Sequence, residues 1–350
     1  MGKNEFLNEL RQHLTVLPEE ERNDILQDLN EYFDEGKREG KSESDISSSL
    51  GTPSEIAADI LSAYPEYTRA QDSRALPQDA RYELVQIPQG TYSNVMADIA
   101  VGELKLTPSE DETTRFELIG DKSEVKFNAD IRQDMLVISL KGEKTITSWF
   151  RRAVSRPFRL VVHLPKRLYS LVRAETSNGS LSAEKILARS FTAESANGRI
   201  LVRECAFGTL SARTDNGRVE MQKVEAGTLS AFTDNGRIEL RAIRSDRVSA
   251  ETDNGRIIFS DVEGDIDAKT DNGRIELTTD SIDRNIQLLT DNGSITVTTD
   301  RLPEDAVVRV RSDSGRPDIF GSADRERVFG RGTHTVRLET DNGKITLRNS

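Results

Sequence analysis

Hydrophobic positions fall into two regimes along the chain. Over residues 1–64 they recur at helical spacing, with Phe6, Leu7, Leu10, Leu14 and Leu17 on one face, then Ile25, Leu26, Leu29, Tyr32 and Phe33 on another. Pro18 followed by Glu19, Glu20 and Glu21 marks a helix start, and Gly36 and Gly40 mark its end. Ser42 with Asp45, and Thr52 with Glu55, read as capping boxes that open two short helices carrying Ile46 and Leu50, then Ile56, Ile60 and Leu61. Residues 65–80 break the pattern with polar residues and prolines, the composition of a linker.

From residue 81 the period drops to two. Leu104 and Leu106, Phe116 and Leu118, and runs from Met135 to Leu140 and from Leu160 to Pro165 read as ordinary strands over 81–171. From 172 to 350 the chain repeats itself. Asn-Gly recurs at Asn178-Gly179, Asn197-Gly198, Asn216-Gly217, Asn235-Gly236, Asn254-Gly255, Asn272-Gly273, Asn292-Gly293 and Asn342-Gly343, with Ser314-Gly315 as a degraded copy. The first seven glycines are 18 to 20 residues apart, a period that signals stacked supersecondary units. Each unit alternates on both sides of its turn, as in Leu210, Ala212, Thr214 and then Val219, Met221.

Asn-Gly between alternating runs fits a hairpin with a type I′ turn, hence an antiparallel meander. It also fits a β-solenoid of two short strands per coil with stacked corners. The near-constant repeat length favours the solenoid, because a coil must keep its perimeter. A column of small residues, Ala174, Ala193, Ala212, Ala231, Ala250 and Ala268, suits a thin two-sheeted interior. The fold class expected is a small all-α bundle joined by a linker to a large all-β domain, β-solenoid or β-helix-like with ~19-residue repeats.

Composition sharpens this picture. The 350 residues carry a net charge of −12, 35% hydrophobic and 5% aromatic residues and one cysteine. A single cysteine removes a disulfide framework and any multi-cysteine metal site. No apolar run reaches membrane-spanning length and the start is charged, so a cytoplasmic location is expected. Residues 1–70 hold 7 Lys/Arg against 16 Asp/Glu, whereas 141–173 hold nine Lys/Arg and one Glu. The acidic module suits a basic or mixed partner, and a core this small leans on that partner or on a second copy; direct nucleic-acid binding is disfavoured.

Residues 3–63 resemble the HAAS domain, a helical signalling module associated with helix-turn-helix regulators. The most specific piece is Leu50-Gly51-Thr52-Pro53-Ser54-Glu55-Ile56-Ala57, a stop and restart between helices. The resemblance implies a PadR-like transcriptional regulator as partner, with Phe6, Leu10, Tyr32, Phe33, Leu50 and Ile56 as fold or contact positions. Many members carry transmembrane helices after the module, where this chain has its polar linker. Residues from about 80 to 350 resemble an adhesin-type β-strand-repeat family built on S/T-x-N-G-x-I-x-V units, and the tail GRGTHTVRLETDNGKITLRN resembles that family's closing coil.

Candidate chemistry is sparse. At the corners, Asp215, Asp234, Asp253 and Asp271 lie beside Arg218, Arg237, Arg256 and Arg274. Charge pairing between these columns, with each Asn bonded to its neighbour's backbone, is the expected arrangement; a metal on the Asp column and a sugar or phosphate on the Arg column are the alternatives. His13, His163 and His334 are dispersed, and Cys205 takes the place of Val224 and Ile243 in the repeat, a core position. No nucleophile elbow, phosphate loop or dinucleotide fingerprint is present, so no catalytic, cofactor or metal residues are assigned. Trp149, Phe150, Arg151 and Arg152 form a basic aromatic segment that fits capping of the solenoid end, docking to an acidic partner, or an anionic membrane surface. The expected function is a non-enzymatic signalling and interaction protein; an adhesin or envelope-stress scaffold and a carbohydrate-active enzyme on a β-helix are the rivals.

Overall fold

The computed structural model describes residues 2–17, 22, 25–26, 29–30, 33, 37, 42–50, 52–62, 81–84, 91–119, 125–142 and 158–350. The chain divides into two compact units, Met1–Gln78 and Asp79–Ser350. None of the described helices is long and apolar enough to cross a membrane.

The first unit is helical: α1 (Lys3–His13), α2 (Glu43–Leu50) and α3 (Pro53–Ser62), with the described positions between 22 and 37 also helical. α2 and α3 begin one residue after Ser42 and Thr52, the two capping residues read from the sequence. Phe6, Phe33 and Ile46 close one cluster, and Leu10, Leu14, Leu17, Leu26 and Ala57 another. Phe6 and Phe33 meet edge to face at 5.4 Å between ring centroids, a favoured aromatic geometry.

The second unit is a parallel β-solenoid. Val219 to Thr233 pairs with Ile238 to Thr252, nineteen residues on, and Ile238 to Asn254 pairs in the same sense with Ile257 to Asn272. Parallel pairing at the repeat distance excludes the antiparallel meander, whose neighbours would run in opposite directions. The 18-residue spacing is absorbed between Arg244 and Arg247, where the register shifts. The 20-residue spacing is absorbed in the 280–285 segment, since Ile257 pairs with Ile275 but Ile266 with Ile286. Length variation is thus kept away from the Asn-Gly corners.

Each coil has three sides rather than the two expected. Within the continuous strand Val219–Thr233, inward positions run Val219, Met221, then Val224, Ala226, then Leu229, Ala231, Thr233. Two outward residues in succession break the alternation at Gln222-Lys223 and at Gly227-Thr228. The first break is a left-handed kink, with φ of +53° at Lys223 and nearly the same at Lys185, Glu204, Ala242 and Asp261. All the column alanines are buried, Ala97 included.

Both ends depart from a simple stack. Asn94–Val101 and Glu103–Pro108 lie directly on Leu168–Asn178 and Leu181–Glu184, so the irregular region 81–171 contributes a full coil. Outside that coil sit Met135–Gly142 and Arg159–Leu164, which come later in sequence. The other end mirrors this. His334–Asn342 and Ile345–Asn349 stack on Ile286–Asn292 and Ile295–Thr299, and the earlier strands Ala306–Ser312 and Asp318–Ile319 lie outside them. The tail is therefore the penultimate coil in space, not the closing one. Antiparallel strands finish each end, Val125–Arg132 on the first and Glu326–Phe329 on the second, which blunts edges that would otherwise recruit further strands.

Candidate functional site

The sixteen corner residues come together in one continuous structure. Asn197 Nδ2 donates to Asn178 Oδ1 at 3.0 Å, and the same bond recurs from Asn216, Asn235, Asn254, Asn272, Asn292 and Asn342 to the asparagine one coil before, at 2.9–3.0 Å. The expected bond from each Asn to its neighbour's backbone is replaced by this side-chain ladder. Identical amides stacked one coil apart each present one donor and one acceptor, so the column satisfies itself. A second ladder runs inside it. Thr214, Thr233, Thr252, Thr270, Thr290 and Thr340 donate their buried hydroxyls to Gly198, Gly217, Gly236, Gly255, Gly273 and Gly293 at 2.9–3.1 Å.

The corner glycines serve close approach rather than a primed turn. None of the corner asparagines has positive φ. A Cβ on Gly217, Gly236, Gly255, Gly273, Gly293 or Gly343 would instead lie 1.8–2.2 Å from the carbonyl oxygen of the stacked glycine.

The arginine column pairs differently from the sequence expectation. Glu220 is flanked by Arg199 and by Arg218, the latter at 2.9 Å. Arg237 reaches Glu239 at 3.8 Å and Arg274 reaches Glu276 at 3.5 Å. The corner aspartates pair elsewhere, Asp234 with Arg213 at 3.9 Å and Asp271 with Lys269 at 3.1 Å. Residues two apart on a strand share a face, which brings Glu220 to Arg218, whereas Asp215 lies across the corner. Burial alone would raise the Glu220 carboxyl, yet the two guanidinium groups hold it below the usual range. A depressed folded-state pKa contributes stability above the unfolded value of about 4.3 and loses it as pH falls through the folded one. Glu220→Gln should therefore cost about 2 kcal/mol at neutral pH and less at an acid pH below the folded-state value. Guanidinium midpoints of both proteins at the two pH values test this; an equal gap at both would show that the charge does not matter.

Among the described residues, no group of three or more His, Cys, Asp or Glu is placed to hold a metal ion. His163 Nε2 lies 3.1 Å from Glu117. Cys205 is buried, and burial pushes its thiol up to about 11, so it is a core side chain and not a thiolate.

Of the partner-contact residues, Phe6, Leu10 and Phe33 are fully enclosed in the helical unit and Ile56 is half-buried against both clusters. The first three are fold positions and offer nothing to a partner, because the apolar spacing that singled them out is the signature of the unit's own core. Leu50 ends α2; its side chain, and Tyr32, Trp149, Phe150, Arg151 and Arg152, lie outside the described residues. The left-handed corner went unread because Lys185, Glu204, Lys223, Ala242 and Asp261 share no side-chain type.

The HAAS family profile matches residues 5–59. The Toastrack DUF4097 profile matches residues 98–348. Solved structures similar to this chain include a candidate adhesin from Bacteroides fragilis, at 13% identity over 76% of this chain and 94% of that one, with a TM-score of 0.40. Another candidate adhesin, from Parabacteroides merdae, is 14% identical over 77% and 95%, with a TM-score of 0.39. A candidate lipid-binding protein from Parabacteroides distasonis is 14% identical over 77% and 93%, with a TM-score of 0.32. No curated protein matches the sequence.

Proposed function

The chain belongs to the Toastrack DUF4097 family and carries a HAAS domain ahead of the solenoid, and from that premise we propose that it is a non-enzymatic signalling scaffold acting in the cytoplasm. The HAAS domain engages a PadR-like transcriptional regulator, and the solenoid supplies a rigid surface for sensing or assembly. The observation that carries this reading is the pair of corner ladders. They lock coil after coil in register through side chains bonded to one another and to the backbone along the stack, a construction suited to presenting a fixed surface.

The exposed side of α1 carries Asn4, Glu5, Asn8, Arg11 and Gln12, while its opposite side is the unit's core. With the sequence up to residue 70 at net −9, the contact offered to a regulator is acidic and polar. The full chain should therefore co-purify a helix-turn-helix regulator from its native cell. Glu5→Lys should weaken that capture about tenfold without unfolding the domain. If no transcription factor is captured, and deleting residues 1–64 leaves transcription unchanged, the regulator reading fails. Cell fractionation that finds the protein only at the surface would favour the adhesin reading instead.

A further inference from the structure

The repeat pattern is inverted twice at one place, and the two inversions meet in a cleft. The column that holds Ile186, Cys205, Val224, Ile243 and Val262 is buried and apolar in coil after coil. One coil earlier, immediately before Leu168, that column holds Arg167. The outward column next to it becomes polar along the stack, through Glu225 and Arg244, but begins with Leu168 and Leu187. Those two leucines are 57% and 45% exposed and lie side by side in register. A charge where the repeat is apolar, beside apolar groups where the repeat is polar, departs from the pattern the rest of the stack follows.

The arginine is held in place. Its guanidinium lies 4.5 Å from the Tyr92 ring centroid and 5.2 Å from that of Tyr169, and the two rings are stacked on each other. It also donates to the Tyr92 carbonyl. Tyr169 is fixed in turn by donating its hydroxyl to the Pro165 carbonyl at 2.8 Å. Nε of Arg167 is enclosed and has no acceptor, and among the described residues no carboxylate lies within ion-pair distance of Arg167 or Lys166. Both line a cleft of about 490 Å³ whose walls include Pro108, Leu164, Ile186 and Leu187, with Glu110 also on its lining, a volume within the usual range for small-molecule sites. Lys185 stands on the rim, 3.7 Å from Glu204.

We propose that this cleft binds an amphiphile that joins one anionic head, phosphate or carboxylate, to an apolar chain. Arg167 and Lys166 take the head, and the chain lies along Leu187 and Leu168. The π faces of Tyr92 and Tyr169 orient the guanidinium and leave its charge unneutralised, so the protein supplies the cation and the ligand supplies the counter-charge. This site does not depend on the regulator partnership, and its test reads ligand binding by the purified chain alone.

The full chain is titrated calorimetrically with dodecyl phosphate below its micelle concentration, with inorganic phosphate, and with phosphatidylglycerol vesicles against phosphatidylcholine vesicles. Dodecyl phosphate should saturate a single site, and inorganic phosphate should bind at least about tenfold more weakly. Arg167→Gln should weaken dodecyl phosphate about tenfold or more. Because that change also disturbs the tyrosine stack, the exposed variants Lys166→Gln and Leu187→Asp are measured with it, each at an unchanged unfolding midpoint. Lys166→Gln should weaken binding severalfold, and Leu187→Asp about tenfold. Vesicle binding lost in Leu187→Asp would identify a bilayer headgroup as the source, and monomer binding without vesicle binding would identify a dispersed amphiphile; either supports the site. Absence of dodecyl phosphate binding, equal affinity for inorganic phosphate, or wild-type affinity in both Lys166→Gln and Leu187→Asp would overturn it.

Discussion

Gly236→Ala is expected to cost the solenoid at least about 4 kcal/mol, the far end of the range for a single substitution. The added Cβ would lie 2.0 Å from the Gly217 carbonyl oxygen and 2.7 Å from its carbon. That carbonyl cannot turn aside, because it accepts the buried Thr233 hydroxyl at 2.9 Å. Nor can the corner lift away as a unit. Asn235 N donates to Asp215 O at 2.9 Å on one side, and Ile238 N donates to Arg256 O at 2.9 Å on the other. Relief at one coil therefore breaks bonds to both neighbours. Gly321→Ala is the matched control: its φ is +81° but nothing lies within 4 Å of the added atom, so only the left-handed penalty of about 1–2 kcal/mol applies. Guanidinium unfolding followed by far-ultraviolet circular dichroism compares the two. Equal losses would mean that the corner stack is soft and that conformation, not contact, selects glycine there.

That contrast separates what the sequence could and could not disclose. The Asn-Gly period and the inward alternation were legible because a stacked coil repeats its perimeter, and the columns at Ala212, Thr214 and Val219 sit where period two puts them. The reason for the glycines was not legible. A type I′ hairpin and a stacked corner both favour Asn-Gly, and only the distance to the next coil distinguishes positive φ from steric exclusion. The partner of Arg218 was available in principle, since Glu220 shares its strand face, but the more conspicuous Asp-Asn-Gly-Arg run drew the pairing across the corner. The exchanged order of the end coils was beyond reach. Ala306–Ser312 and His334–Asn342 are both alternating strands able to stack on Ile286–Asn292, and nothing local tells which is outermost. In the helical unit the spacing revealed the core, with Phe6 and Phe33 in contact, and for that reason could not reveal a binding face.

Phe259→Ala is expected to cost about 3–5 kcal/mol, toward the upper end of that range, because the cavity it leaves cannot collapse. Phe259 is fully buried in the column that runs Val202, Met221, Leu240, Phe259, Leu277, Val297. Closing the gap would require Leu240 or Leu277 to approach along the stack, and the coil spacing is already set by backbone pairing and by the Asn and Thr ladders. Phe232→Ala is the comparison on the outer surface. That ring is half-buried beneath the Arg213 guanidinium at 3.8 Å, and its loss should cost about 1 kcal/mol or less. Because each coil touches only its neighbours, the damage from Phe259→Ala should also be local. Amide exchange should accelerate most in residues 225–299 and least in 168–203, whose contacts the substitution leaves intact. Uniform acceleration along the unit would show instead that the solenoid unfolds in one step, with its ends as strongly coupled to the centre as adjacent coils are to each other.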